Sequence, residues 1–302
     1  MTTQQQFAAK VNELIAQSHQ LAPDARKKVL EMLDQARKRI LGELVSLNPN
    51  SFSAAQLRAL KLSIDQEFEL FRQQSTAFMT SMQTDASRLG TATIGAPLSA
   101  AGLEPFAIGG LSSTHLAIAQ GYTADLVTAL SKDAAAKVNG AIQRAFLGGQ
   151  QITDIIEQIG MALNKGSKPS MFDQIGERAI TIAQNEILRV HSMAAQAKLQ
   201  EAKTRHPDLK KKWKHLNAAK LPRITHILAD GQVKEVEEAF EIPVKPGAPP
   251  ELLMFPRDPS GSAENTINCH CLEQPHFDDE ALRPTSVHKK VLRDLGISVQ
   301  VA

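Results

Sequence analysis

The chain has 302 residues, 42% of them hydrophobic, 22% charged and only 4% aromatic, with a formal net charge of +2. That length suits two domains and supplies enough apolar material for a sizeable core. The near balance of 34 Lys and Arg against 32 Asp and Glu leaves no global charge to draw the molecule onto nucleic acid or an anionic membrane. Two cysteines exclude a disulfide framework and fit a reducing compartment. The opening residues MTTQQQFAAK lack the basic start and apolar run of a signal peptide. No stretch reaches the ~18 uninterrupted apolar residues of a membrane span. The nearest, Leu98 to Ala119, is broken by Glu104, Pro105 and the pair Gly109 and Gly110. The expected product is soluble, neither secreted through a signal nor membrane-spanning.

Residues 4 to about 206 read as almost entirely helical. Phe7, Val11, Leu14 and Ile15 fall at helical spacing, as do Leu33, Ala36, Ile40, Leu41 and Leu44. Asn48, Pro49 and Asn50 end this block, because a residue before proline is pushed out of the α region. Ser53 and Gln56 form a capping-box pattern ahead of the stripe Leu57, Leu60, Ile64, Phe68, Phe71 and Phe78. From Gly90 to Ser113 the composition shifts to Gly, Ala, Ser, Thr and Pro, which predicts a flexible linker. Helices are expected again over 114–146 and 153–163. The longest follows from Phe172 to about Arg205, with the stripe Ile175, Ala179, Ile182, Ala183, Ile187, Val190, Ala194 and Ala197.

After His206 and Pro207 prolines become frequent and alternation replaces the helical period. Lys212 to Leu216 and Val233 to Val236 read as short strands, with Asp230 and Gly231 as a turn signal. The sequence thus predicts a mainly α fold, a long helical N-terminal domain with a small α+β, loop-rich C-terminal module. Its expected divisions are a long-helix region over 1–89, the linker over 90–113, a helical domain over 114–206, the small module over 207–275 and a tail over 276–302, with a helix from Asp279 to Asp294.

The metal-competent groups concentrate in the small module. Both cysteines, Cys269 and Cys271, flank His270; His226 and Asp230 lie about forty residues earlier, and His276 follows. Thiolates and imidazoles are the donors zinc prefers, and a small domain short of core gains folding free energy from a metal. A single Cys-x-Cys is tighter than the paired Cys-x2-4-Cys of structural zinc sites, so burial of the thiols as small hydrophobes, with His226 hydrogen-bonded in the core, remains an open reading. From Glu201 to Lys220 seven lysines and arginines stand against two acids, with Trp213 among them. Within this run Lys210, Lys211, Lys212 and Lys214 could neutralise phosphates of DNA, or simply form a solvated face. On the long helix Glu186 and Arg189 stand three residues apart, a spacing that suits an ion pair as well as a substrate site. There is no P-loop, dinucleotide fingerprint, nucleophile elbow or zinc-protease helix.

At these residues the chain resembles the phage Mu F-like head-morphogenesis family of minor head proteins. The resemblance begins with Arg178, Ala179, Ile182, Ala183, Asn185, Glu186 and Arg189 on the long helix. It continues through Trp213, Arg223, His226, Asp230, Gly231, Gln232, Phe240 and Pro243, and closes on Pro256, Asp258, Asn268, Cys269 and Cys271. It covers about residues 172–275, a third of the chain. Where the family commonly has an arginine between the cysteines, this chain has His270; its threonine before the helix glutamate is Asn185, and acidic residues before the arginine are absent from 217–220. The resemblance implies a minor structural protein of a tailed double-stranded DNA phage, present at the portal vertex of the virion head after assembly in the host cytoplasm. Its implied partners are the portal protein, other head proteins and the packaged DNA, with no membrane and no catalytic role. The N-terminal helices would supply the portal-binding surface. Two alternatives stand beside this: an enzyme, hydrolase or toxin-like transferase, using the His, Glu and Cys cluster, and a zinc-dependent DNA-binding module.

Overall fold

In a computed structural model describing residues 2–47, 53–103, 110–160, 169–216 and 223–278, the helical stripes form α1 (Thr3–Ser46), α2 (Ala54–Ala100), α3 (Ser113–Leu147), α4 (Ile152–Ile159) and α5 (Met171–Lys203). The capping box is present: Gln56 N–H donates to Ser53 Oγ at 3.2 Å, and Ser53 N–H to Gln56 Oε1 at 2.7 Å. Ser170 and Asp173 cap α5 in the same reciprocal way, at 3.1 and 2.8 Å. No described helix is long and apolar enough to cross a membrane. The chain is mainly α, with a long N-terminal helical region and a small sheet-containing, loop-rich C-terminal part.

Two compact units partition the chain, one formed by residues 24–81 and 120–184, the other by 1–23, 82–119 and 185–302. The first is a helical bundle. Its interior gathers Leu33, Ile40, Leu44, Ile64, Phe71, Val138 and Ile142, and the rings of Phe68 and Phe172 stack with centroids 5.8 Å apart.

All described strands belong to the second unit. There β1 (Lys210–Lys214) lies between β2 (Val233–Glu235) and β5 (Leu272–His276), antiparallel to both. A separate hairpin pairs β3 (Phe240–Pro243) with β4 (Pro250–Leu253), and two short helices, α6 (Ile224–Leu228) and α7 (Ala263–Thr266), complete the unit. One hydrophobic cluster joins Phe7 and Val11 of α1, Ile94 and Leu98 of α2, and Leu199 and Ala202 of α5 to Leu209, Val236 and Phe277. The small module therefore shares a core with helical segments far from it in sequence. Phe277, expected in the tail, packs edge-on to Phe7 with centroids 6.0 Å apart. The expected helix over 279–294 lies outside the described residues, as do 161–163 of the expected helix 153–163.

The predicted linker over 90–113 needs correction. Helix α2 continues to Ala100, and Ile94 and Leu98 on it are fully buried. The small residues that suggested flexibility instead permit close packing. A Cβ on Gly90 would lie 2.2 Å from the carbonyl oxygen of His191 on α5, so a side chain there would force the helices apart. Of the segment, 104–109 lies outside the described residues.

His191 binds the three helical segments of this unit. Its Nε2 lies 2.9 Å from Ser18 Oγ on α1 and 3.3 Å from Thr93 Oγ1 on α2. Both hydroxyls already donate to backbone carbonyls, Ser18 to Leu14 and Thr93 to Leu89, at 2.8 Å each. Nε2 must therefore carry the proton, leaving Nδ1 bare. Burial, aided by the Arg257 charge, pushes the ring down to about 3. The unfolded chain takes up this proton near pH 6.5 and the folded one does not, so the stability present above 6.5 is lost as pH falls towards 3. Urea unfolding at pH 6.5 and 5 should show the wild type losing about 1.5 kcal/mol more than His191→Gln; equal losses would contradict a neutral buried ring.

Candidate metal centre

The module builds its interior around Trp213, which is fully buried with Ala229, Phe240, Ile242, Leu253, Cys269 and Cys271. Alternation along β1 places Lys211 and Trp213 inward. The indole meets the His226 ring edge-on at 5.8 Å and Phe240 at 5.2 Å, which orients His226 on α6. Beyond α6 the chain turns back at Gly231, whose φ of +88° is one that glycine adopts without strain. Gly231 N–H then donates to the Trp213 carbonyl, and Trp213 N–H to that of Gln232, each at 2.9 Å.

Two arginines fix the cysteine arm. Arg223, at the start of α6, donates to the carbonyl of Ile267, and Arg257 Nη1 donates to that of Cys269 at 2.8 Å. Between them Asn268 takes a left-handed φ of 56°, a conformation asparagine tolerates better than most residues. Arg257 is itself fully buried at φ 68°, and its Nη2 donates to Ser192 Oγ of α5 at 2.7 Å.

His226 Nδ1 lies 3.6 Å from Cys269 Sγ and 3.4 Å from Cys271 Sγ. These three donor atoms all fall within 4.8 Å of one another, and all three residues are buried, so the group could hold a metal ion. The tautomer suits that role. Asn265 Nδ2 donates to the Ile242 carbonyl and to Glu251, at 3.0 and 2.9 Å, so its Oδ1 is left to accept. It receives the proton of His226 Nε2 across 3.2 Å, which leaves the Nδ1 lone pair aimed at the sulfurs.

Burial opposes ionisation of both thiols. At Cys269 it is outweighed by hydrogen bonding with Cys271, by the adjoining His226 ring and by the Arg257 charge, so this thiol sits well below its ordinary range. Cys271 is pushed well above it, by burial and then by its neighbour Cys269. The pair thus surrenders one proton readily and holds the second until a cation replaces it. Nearby, Glu273 is buried with neither carboxylate oxygen hydrogen-bonded among the described residues. Burial raises it to about 8, against the pull of Lys211 and Arg257.

Of the residues singled out in the sequence, His226, Cys269 and Cys271 come together, whereas Asp230 and His270 stand outside the group. Asp230 accepts the His215 N–H at 2.8 Å and a 3.3 Å bond from Lys214, so it anchors backbone instead of a metal. His270 is half-buried, because alternation between two inward cysteines turns it the other way. Glu186 and Arg189 form an ion pair of 2.6 Å on α5, and burial raises the glutamic acid despite it.

The DNA-binding reading of the lysines is corrected at Lys211. It is fully buried, donating to the Met254 carbonyl at 2.7 Å and lying 5.0 Å from the Phe240 ring centre. Lys210 pairs with Asp278 at 2.8 Å and Lys214 with Asp230 at 3.3 Å, while Lys212 remains half-buried. Sequence reasoning missed His215, Arg257, Asn265 and Glu273. Only His215 carried a signal, since continuing the β1 alternation places it on the inward side with Trp213.

No family model matches the chain, and no solved structure matches it. The uncharacterized protein YqbB of Bacillus subtilis strain 168 is 37% identical over 147 residues, which are 48% of this chain and 43% of that protein. The chain therefore matches less than half of that relative's length.

Because Asn265 fixes the His226 tautomer, Asn265→Ala should weaken metal binding by about 10- to 100-fold, measured by chelator competition. Unchanged affinity would show that the tautomer needs no such support.

Proposed function

We propose that the chain is a minor head protein of a tailed double-stranded DNA phage. It sits at the portal vertex of the virion and acts in head morphogenesis or DNA delivery, with the portal protein, other head proteins and packaged DNA as its partners. One observation carries this reading. The residues that resemble the Mu F-like pattern are scattered over a hundred positions, yet many have mutually dependent duties in one small region. Trp213 orients His226, Arg223 and the neighbouring Arg257 hold the cysteine arm, Gly231 returns the chain to β1, and Phe240 backs the indole. A pattern whose members meet in space supports kinship better than a string of separate matches.

The metal is zinc on this reading. Two thiolates and an imidazole suit zinc and suit harder cations poorly. A tetrahedral zinc ion with Zn–S near 2.3 Å and Zn–N near 2.0–2.1 Å requires sulfur–nitrogen separations of about 3.5 Å. His226 Nδ1 stands at 3.6 and 3.4 Å from the two sulfurs. The thiols and imidazole face one another in a closed interior, and Glu186 is tied to Arg189, which favours a structural over a catalytic role. Direct DNA contact through 210–214 draws little support from lysines that are buried or paired with acids; Lys220 lies outside the described residues.

The test is to purify heads from a host producing the phage that encodes this chain. The protein should co-purify with portal-containing heads and crosslink to the portal. Normal numbers of infectious heads after deletion of its gene, with the wild-type protein confined to the soluble fraction, would contradict the proposal.

A further inference from the structure

Zinc sites divide by whether the fourth position is filled by the protein or left to water, and the three donors described so far leave that position open. The molecule offers a fourth donor. His215 directly follows β1, and its Nδ1 lies 3.5 Å from Cys271 Sγ, the separation that tetrahedral zinc requires between a sulfur and a nitrogen on one ion. That sulfur is the only polar contact of the His215 ring among the described residues; its Nε2 is shielded from solvent with no partner. The ring also stands close enough to His226 and Cys269 to feel their charges.

Its backbone is held in place. Asp230 Oδ1 accepts the His215 N–H at 2.8 Å, and Asp230 belongs to the turn that bonds both ways to Trp213. The strand that buries Trp213 against His226 therefore also delivers His215 to the thiols. Its Nδ1 meets Cys271 alone and stands outside the group of donors that all lie within 4.8 Å of one another, so ligation requires this half-buried side chain to swing towards His226 and Cys269 by rotation about its own torsions.

We propose that His215 is the fourth ligand of a closed Cys2His2 zinc centre with His226, Cys269 and Cys271. This rests on the zinc reading above and extends it. A filled coordination sphere makes the ion a structural clip joining the end of β1, helix α6 and the approach to β5, with no vacancy for substrate or activated water.

The experiment uses the full chain, loaded with Zn2+ for affinity and with Co2+ for its visible spectrum, as wild type, His215→Ala and His215→Cys. The wild type should bind one ion per chain with the intense absorption of tetrahedral Co2+. His215→Ala should still bind, but more weakly by more than the roughly 10- to 100-fold cost of losing an outer-shell partner. Its Co2+ spectrum should change and respond to added imidazole, which enters the vacated position. His215→Cys should restore tight binding and strengthen the sulfur-to-cobalt charge-transfer band. Binding and spectrum unchanged in His215→Ala would overturn the fourth-ligand assignment and leave the three-donor site standing. A wild type that binds neither ion would overturn both. If His215→Ala fails to fold, His215→Cys decides: no added sulfur character in its spectrum overturns the assignment.

Discussion

The C-terminal part of the molecule depends on one arrangement: a bare imidazole nitrogen facing two thiol sulfurs in a space closed to water. Nothing in it is stable alone. Two buried thiols repel a second negative charge, as the opposed behaviour of Cys269 and Cys271 reflects. A buried imidazole nitrogen whose only partners are thiols, weak donors, recovers little of the solvation it loses. The surroundings resolve both problems by orientation. Asn265 keeps the proton on Nε2, Trp213 fixes the ring plane, and Arg257 places a permanent positive charge beside the Cys269 carbonyl and sulfur. A divalent cation between the donors would displace the thiol protons and turn the repulsion into coordination.

Burial of charge extends beyond the donors. Lys211, Arg257 and Glu273 are fully buried in the same unit, and both cations pull on the Glu273 carboxyl, whose burial nonetheless keeps its proton on. Their arrangement links the sheet to α5, since Arg257 donates to Ser192 and Gln196 donates to the Val236 carbonyl at 3.1 Å. A module of short strands has little apolar area of its own. It is completed on one side by helix α5 and the cluster shared with α1 and α2, and on the other by the thiol–imidazole centre.

Much of this was legible in the sequence, for identifiable reasons. Helices α1 to α5 announced themselves because apolar residues recur at their own period, and the Ser53 cap because its chemistry is local. The meeting of His226 with Cys269 and Cys271 was legible from donor chemistry and from the resemblance to the Mu F-like pattern. Other features were hidden. The end of α2 looked like a linker because glycine and alanine report small size without revealing the helix packed against them. Lys211 looked solvated because a run of lysines conceals strand alternation, and its burial is made tolerable by partners distant in sequence, Gln196, Phe240 and Met254. Arg257 left no trace, since a left-handed arginine aimed into a core has no sequence signature. His215 was overlooked because its partner lies 56 residues away, although Trp213 two positions earlier marked the inward face.

The most direct measurement is the zinc X-ray absorption spectrum of the full-length chain purified without chelator under reducing conditions. It should show about two sulfurs near 2.3 Å with nitrogen near 2.0–2.1 Å completing four-coordination. A shell of oxygen and nitrogen alone, or a chain that retains no zinc, would contradict the thiol–imidazole centre and remove the structural support for the proposed place in the virion.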